Sequence, residues 1–168
     1  MTAEQIIKLF KMQPLRQEGG YYIETYRAVE KLKKDVLSAG YSGDRNLASV
    51  ILYLLTAKTV SLLHRLKSDE IFHFYFGDPV TMLQLHPDGR SELIALGSNV
   101  LKEQKVQVLV PRGVWQGAFV QPGGKFALLG CSVAPGFDEN DFELGDRNVL
   151  LAKYPDLKEL ILRLTRGQ

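Results

Sequence analysis

One cysteine, Cys131, stands among 168 residues, alongside three histidines and one tryptophan. A single thiol cannot close an internal disulfide and cannot build a cysteine-based zinc site. That scarcity suits the reducing interior of a cell, so the expected location is cytoplasmic. An excess of charge of either sign is also lacking: 21 Lys and Arg face 19 Asp and Glu, intermingled along the chain, for a net charge of +2. Such a balance offers no footprint for nucleic acid or an anionic membrane. No apolar run approaches the ~18 residues that span a bilayer. The start, MTAEQIIKLF, places Glu4 where a secretory leader carries positive charge, so no leader is expected. Repeats, low-complexity stretches and long linkers are missing too. What remains is 45% hydrophobic and 24% charged, the texture of one globular domain over residues 1–168. A chain of this length hides roughly 70% of its unfolded surface.

A short helix is expected at 3–12. Thr2 with Gln5 three residues on forms a capping box, and Ile6, Ile7 and Phe10 make one apolar stripe. Gly19-Gly20 ends any helical reading, and YYIETYR (21–27) has strand-like aromatic density. The polar stretch 28–46 reads as an exposed excursion between strands. From Leu47 on, runs of five to eight residues (ASVILYLL, VSLLHRL, EIFHFYFG, VTMLQLH, SELIALG, KVQVLVP, VWQGAFV, FALLGCSV) alternate with turn material such as GDP, PDG and QPGG. Many short strands at near-regular spacing indicate a sandwich or barrel, here over about 20–134. Leucines at helical spacing return at about 140–166. There Asp156 is the expected N-cap, with Leu157, Leu160, Ile161 and Leu164 on one face. The fold class is all-β, with short helices at both ends.

The segment HRLKSDEIFHFYFG (64–77) sets a histidine, a carboxylate and a glycine at regular intervals, and PRGVWQ (111–116) follows with a Pro-x-Gly turn. This pair resembles the two cupin motifs. The flanking blocks EGGYYIETYR (18–27), VPRGVWQGA (110–118) and APGFDENDFELGDR (134–147) are similar to those of one uncharacterised, domain-of-unknown-function branch of the cupin superfamily. The resemblance implies a double-stranded β-helix, a jelly-roll barrel with a pocket in its mouth, and often a homodimer paired through the outer sheets. It also exposes a departure from the cupin metal pattern. His64 fills either the first motif-one position with Leu66 at the second, or the second with Leu62 at the first, and Gln116 stands where the motif-two histidine belongs. His64, Glu70 and Gln116 are therefore the set for a divalent metal, if one binds. No cofactor is required on this reading.

Strand alternation puts Glu70, Phe72 and Phe74 on one face, and Gln116 with Val114 and Ala118 on one face. His73, Tyr75 and Trp115 then face outward, as candidates for a subunit contact. A hairpin at Thr56–Thr59 would set Tyr53 opposite Leu62 and Ile51 opposite His64, so that Ser49, Ile51, Tyr53 and His64 share a face. Tyr22, Glu24 and Tyr26 share a face of the first long strand. Two readings of each group compete. His64 and Gln116 are either site residues or satisfied core polar groups. Glu70 is either a buried functional carboxyl or a hydrated residue at the barrel mouth. Tyr21–Tyr26 is either recognition surface or edge packing, and Cys131 is a small core residue.

The expected partner is a small polar metabolite such as a sugar or nucleotide-sugar. The expected chemistry is metal-free proton transfer of the isomerase or epimerase kind, with His64 or Glu70 as base and Tyr53 or Tyr26 as opposing acid. Tyr22, Glu24, Tyr26, Ser49, Phe72, Phe74 and Gln116 would bind the ligand. The alternatives are a non-catalytic binding module, and a metal-dependent enzyme built on His64, Glu70 and Gln116.

Overall fold

The computed structural model describes residues 1–167. Helix α1 (Ala3–Phe10) begins with the Thr2–Gln5 capping box and ends where Lys11 turns left-handed, φ 53°. The strands follow: β1 (Gln13–Pro14), β2 (Tyr21–Arg27), β3 (Lys31–Leu32), β4 (Arg45–Asn46), β5 (Ser49–Thr56), β6 (Val60–Leu66) and β7 (Asp69–Gly77). Beyond them lie β8 (Val80–Leu85), β9 (Ser91–Leu96), β10 (Gln107–Val110), β11 (Trp115–Val120), β12 (Phe126–Ala134) and β13 (Phe142–Leu144). Helices α2 (Arg147–Lys153) and α3 (Lys158–Arg163) close the chain. Among the described residues no helix is long and apolar enough to cross a membrane.

One sheet runs β1-β2-β5-β12-β7-β10 and the other β13-β6-β11-β8-β9, with β3-β4 as a separate ribbon. The inner faces meet through Tyr53, Leu55, Phe72, Phe74, Val80, Met82, Ala118 and Leu129, all buried. Period-two alternation sends the other set outward, and each sheet has a helical cover. Ile6 of α1 packs on Leu54 and Leu128 behind the six-stranded sheet. Leu150, Tyr154, Ile161 and Leu164 pack on Leu63, Leu83, Trp115 and Phe119 behind the five-stranded one.

Each apolar run expected between residues 47 and 134 is a strand, but the topology corrects several details. β5 and β6 do not pair as a hairpin. They lie in opposite sheets, β5 between β2 and β12 and β6 between β11 and β13. Ser49, Ile51, Tyr53 and His64 still point to one interior, because the two inner faces oppose each other across it. Trp115 is covered by α2 and α3 rather than free for a partner, with the Arg65 guanidinium 4.4 Å from its ring. Asp156 does not cap α3; Asp146 caps α2 through Val149 N–H, and α3 starts without a side-chain cap. Strand β13 occupies part of the span expected to be helical, since it adds Phe142 and Leu144 to the edge of β6. The stretch 28–46 is less exposed than expected: Ala28, Tyr41 and Arg45 are buried.

Arg45 explains that burial. Its guanidinium donates to both oxygens of Asp141 at 2.6 and 2.8 Å, with both side chains under 5% exposed. The pair ties the β3-β4 ribbon to the loop ahead of β13, and that loop carries Phe137 and Asp138 beside the barrel mouth. Removing one partner of a buried ion pair strands the other charge, at about 3–5 kcal/mol. Asp141→Ala should lose stability of that order in urea unfolding, whereas Glu143→Ala, which breaks an exposed pair with Arg65, should lose under about 1 kcal/mol. Equal losses would contradict this assignment.

Candidate functional site

The cavity opens where β5 and β7 begin and β6 and β12 end, and its floor is built by an irregularity in β6. Gln116 pairs with His64 and Ala118 with Ser61, so three residue steps of β6 oppose two of β11. A bulge of this kind frees backbone groups from the ladder and re-aims side chains. At Leu62 both freed groups are used. Its N–H donates to the Glu18 carbonyl at 2.7 Å, and its carbonyl accepts from His64 Nδ1 at 2.7 Å. Gly19 then turns the chain with φ 104°, and a Cβ there would collide with the Val60 carbonyl. The Gly19 carbonyl accepts from the Tyr53 hydroxyl at 2.9 Å. Glu18 and His64 are thus aimed at one point by backbone contacts.

Their side chains meet there. Glu18 Oε2 lies 3.1 Å from His64 Nε2, and Gln116 Nε2 lies 2.7 Å from the same nitrogen and 3.2 Å from Glu70 Oε2. Phe142 stacks on the imidazole, with ring centroids 5.1 Å apart. A carbonyl can only accept, so His64 Nδ1 carries a hydrogen, and Nε2 receives through its lone pair. The Glu18 contact then requires a shared proton. Burial pushes the Glu18 carboxyl up to about 8 and the Glu70 carboxyl up to about 7, and it pulls the imidazole down. All three shifts favour uncharged forms, because an isolated charge is costly in a low dielectric. The shifts of Glu18 and His64 both favour the proton of that pair on Glu18. The Cys131 thiol beside Glu70 is pushed up by burial and stays protonated.

The cavity above these groups encloses about 360 Å³. Leu15, Ile51, Leu66, Phe137 and Phe142 supply apolar wall, while Tyr22, Glu24, Arg27, Ser49, Asp138 and Glu139 bring polar groups. Arg27 is fully engaged at the rim. It grips Glu24 through Nε and Nη2 at 2.6–3.1 Å, and its Nη1 donates to Asn46 Oδ1 and the Phe137 carbonyl.

Of the residues expected at the site, His64, Glu70, Tyr22, Glu24 and Ser49 line the cavity. Gln116 lies just beneath the floor. The other four lie elsewhere. Tyr53 stands behind the wall, fully buried, with its hydroxyl committed to Gly19. Phe72 and Phe74 belong to the core between the sheets, further along β7 than the cavity reaches. Tyr26 is turned out by a second irregularity: Glu24 pairs with Ile51 but Tyr26 with Val50, so Thr25 is unpaired and Tyr26 moves to the outer face. Glu18 and Arg27 were not anticipated as site residues. The signal for Glu18 was a lone acidic residue directly ahead of Gly19-Gly20, where a tight turn can present a side chain inward.

His64, Glu70 and Gln116, the set expected to hold a divalent metal, stand together at the floor, with the Gln116 amide 2.7 Å from His64 Nε2 and 3.2 Å from Glu70 Oε2. Among the described residues no three His, Cys, Asp or Glu side chains stand together as a ligand cluster.

Two face-packed antiparallel sheets with a polar cavity at one end define a cupin-type jelly roll. Comparison with known proteins makes the assignment specific. The family model described as "Cupin superfamily (DUF985)" matches residues 4–145, and the chain belongs to that family. A crystallised protein from Shewanella oneidensis is 34% identical over 100% of this chain and 99% of its own, with a TM-score of 0.85. A hypothetical protein from Leishmania major is 30% identical over 99% of this chain and 100% of its own, with a TM-score of 0.87. Oxalate decarboxylase from Bacillus subtilis, at 16% identity and a TM-score of 0.53 over 95% of this chain and 42% of its own, shares the fold alone. No curated protein matches the sequence.

The raised carboxyls tie stability to pH. Both groups titrate above their ordinary 4.5 in the folded chain, so the folded state holds protons that the unfolded state releases. The stability they contribute is complete below about 4.5 and is lost as pH rises through about 7 for Glu70 and about 8 for Glu18. In chemical unfolding, Glu18→Gln and Glu70→Gln should gain on the wild type by at least about 1 kcal/mol at alkaline pH, with no gain in acid. A wild-type–variant difference constant with pH would contradict this protonation scheme.

Proposed function

We propose that the cavity binds a small polar metabolite and transfers protons on it without a metal, as an isomerase or epimerase does. The observation that supports this reading is the continuous Glu18–His64–Gln116–Glu70 chain on the cavity floor, with carboxyl groups poised near neutrality on either side of one imidazole. General acid–base catalysis works best with groups whose pKa values lie near the working pH and are held apart from each other. Glu70, with the lower value of the two carboxyls, is the base. It takes a proton from carbon adjacent to a carbonyl, and the C–H electron pair moves to form an enol whose oxygen receives the Glu18 proton. Glu70 then returns its proton to the neighbouring carbon while the adjacent hydroxyl gives its proton to Glu18, so the isomerisation closes without net consumption of acid or base. His64 Nε2 holds the Glu18 proton in register, and Tyr53 takes a positioning role through Gly19.

A polyhydroxylated sugar suits this lining better than a nucleotide-sugar. Glu18, Glu24, Glu70, Asp138 and Glu139 all face the cavity, and Arg27 is already paired with Glu24, so a diphosphate would meet carboxylates without an available cation. The second reading is a binding module without turnover, and it draws on the fact that both His64 nitrogens are already occupied.

Incubation with a panel of aldoses and ketoses in deuterated water separates the two. Turnover should place deuterium at a substrate carbon, and Glu70→Gln should slow that exchange by about a hundredfold or more. Ligand-induced thermal stabilisation without exchange would favour the binding module.

A further inference from the structure

The charges around the cavity carry the reading of this site as a small-molecule pocket one step further, to the class of molecule it takes. Arg27 is the one Lys or Arg among the described lining residues, and Glu24 answers its charge bidentately. Asp138 is partly answered as well: it accepts from Asn140 N–H and lies 3.9 Å from the Arg45 guanidinium. Glu18, Glu70 and Glu139 are left without a cationic Lys or Arg partner, two of them on the floor and one exposed at the rim. Beneath them Gln116 Oε1 is buried without a hydrogen-bond partner among the described residues.

An anion entering this space meets five carboxyl groups and a single guanidinium already paired with Glu24. A neutral polyol can exchange hydrogen bonds with them but leaves the two floor carboxyls without a cationic partner. A cation supplies that partner, since its arrival lets the floor carboxyls ionise and turns a desolvated acid into half of an ion pair. The walls favour the same occupant. Phe137 and Phe142 sit at 70° to each other with ring centroids 6.5 Å apart, offering an aromatic corner of the kind that attracts ammonium groups.

We propose that the cavity takes a small ammonium-bearing metabolite, an amino sugar or amino alcohol, with its charged nitrogen between Glu18 and Glu70. The inference rests on this cavity being a small-molecule site, as proposed above, but not on turnover there. Binding then expels a proton from the floor, because the incoming charge lowers both carboxyl titrations. Glu18, Glu70, His64, Tyr53 and Cys131 are the titratable groups around that point; burial pushes the Tyr53 hydroxyl and the Cys131 thiol well up, so the two carboxyls are the groups that lose protons near neutrality.

The test uses the full-length protein and matched probes: glucosamine, glucose and glucose 6-phosphate, together with ethanolamine, ethylene glycol and phosphoethanolamine. Calorimetric titrations in two buffers of different ionisation enthalpy should show each amine binding about tenfold or more tighter than its hydroxyl counterpart. They should also show proton release on binding, and no measurable affinity for glucose 6-phosphate. Glu18→Gln with Glu70→Gln should abolish both the amine preference and the proton release, while a far-side control, Glu92→Gln, keeps them. Equal affinity for amine and alcohol, tighter binding of a phosphate, greater stabilisation by manganese than by any amine, or no binding of any amine would each overturn the proposal. Deuterium exchange on a neutral sugar without amine preference would sink this inference and leave the acid–base reading standing. Amine binding without exchange would do the reverse.

Discussion

The contact between Glu18 and His64 holds the site together: a proton is shared across 3.1 Å between a buried imidazole and a carboxyl only 12% exposed. An ionised carboxylate facing a neutral imidazole there would be two mismatched acceptors, and an imidazolium–carboxylate pair would keep two charges where burial disfavours both. The neutral pair is the stable solution, and the rest of the floor is arranged to suit it. Leu62 fixes the imidazole tautomer by accepting from Nδ1, and its N–H holds the Glu18 backbone. The Gln116 amide lies 2.7 Å from His64 Nε2 and 3.2 Å from Glu70 Oε2, which links both carboxyls to one ring. The bulge in β6 is what makes Leu62 available for both tasks, so a local loss of ladder hydrogen bonding is the source of the site's order.

The surroundings follow from the cost of that arrangement. A neutral, desolvated floor is stable only if water is held back. Phe142 covers the imidazole, and Phe137 beside it is held to the rim by Arg27 through the Phe137 carbonyl. The Arg45–Asp141 pair anchors the same loop from behind. These interactions lie on residues 134–147, so this segment acts as the outer wall of the site as well as the link from the barrel to α2. Arg27 carries the only Lys or Arg charge among the described lining residues, and it is spent on architecture. The consequence is a cavity with an acidic lining inside a chain whose net charge is +2.

Much of the fold was legible because apolar alternation and Pro-Gly turns dictate strands wherever one face must be buried. Runs such as EIFHFYFG and FALLGCSV could hardly fold otherwise. Parity grouped Glu70 with Phe72 and Phe74, and Ser49 with Ile51 and Tyr53, on shared faces, but the hairpin register expected to bring His64 to the second group is not the one formed. What parity could not foresee were the places where it breaks. Tyr26 was expected beside Tyr22 and Glu24, and one unpaired residue at Thr25 turned it out. Phe72 and Phe74 have the right parity but the wrong depth, since position along the barrel axis depends on strand stagger rather than alternation. The expected pairing of β5 with β6 failed because a short connection between strands can also cross from one sheet to the other. Glu18 was hidden for a different reason: it lies outside any strand, and its inward aim comes from Gly19 and from Leu62, a residue distant in sequence.

The measurement that bears most directly on this account is the nitrogen-15 spectrum of the His64 ring, assigned by comparison with His64→Asn, across neutral pH. The account predicts a neutral imidazole protonated at Nδ1, with Nε2 carrying the shift of a lone pair that accepts hydrogen bonds. That state should persist from mildly acidic to mildly alkaline conditions, as burial of both partners requires. A doubly protonated ring at neutral pH would mean that Glu18 and His64 form a charged pair, and a ring protonated at Nε2 alone would mean that the Leu62 contact is not formed. Either result would contradict the neutral, shared-proton floor on which the proposed chemistry depends.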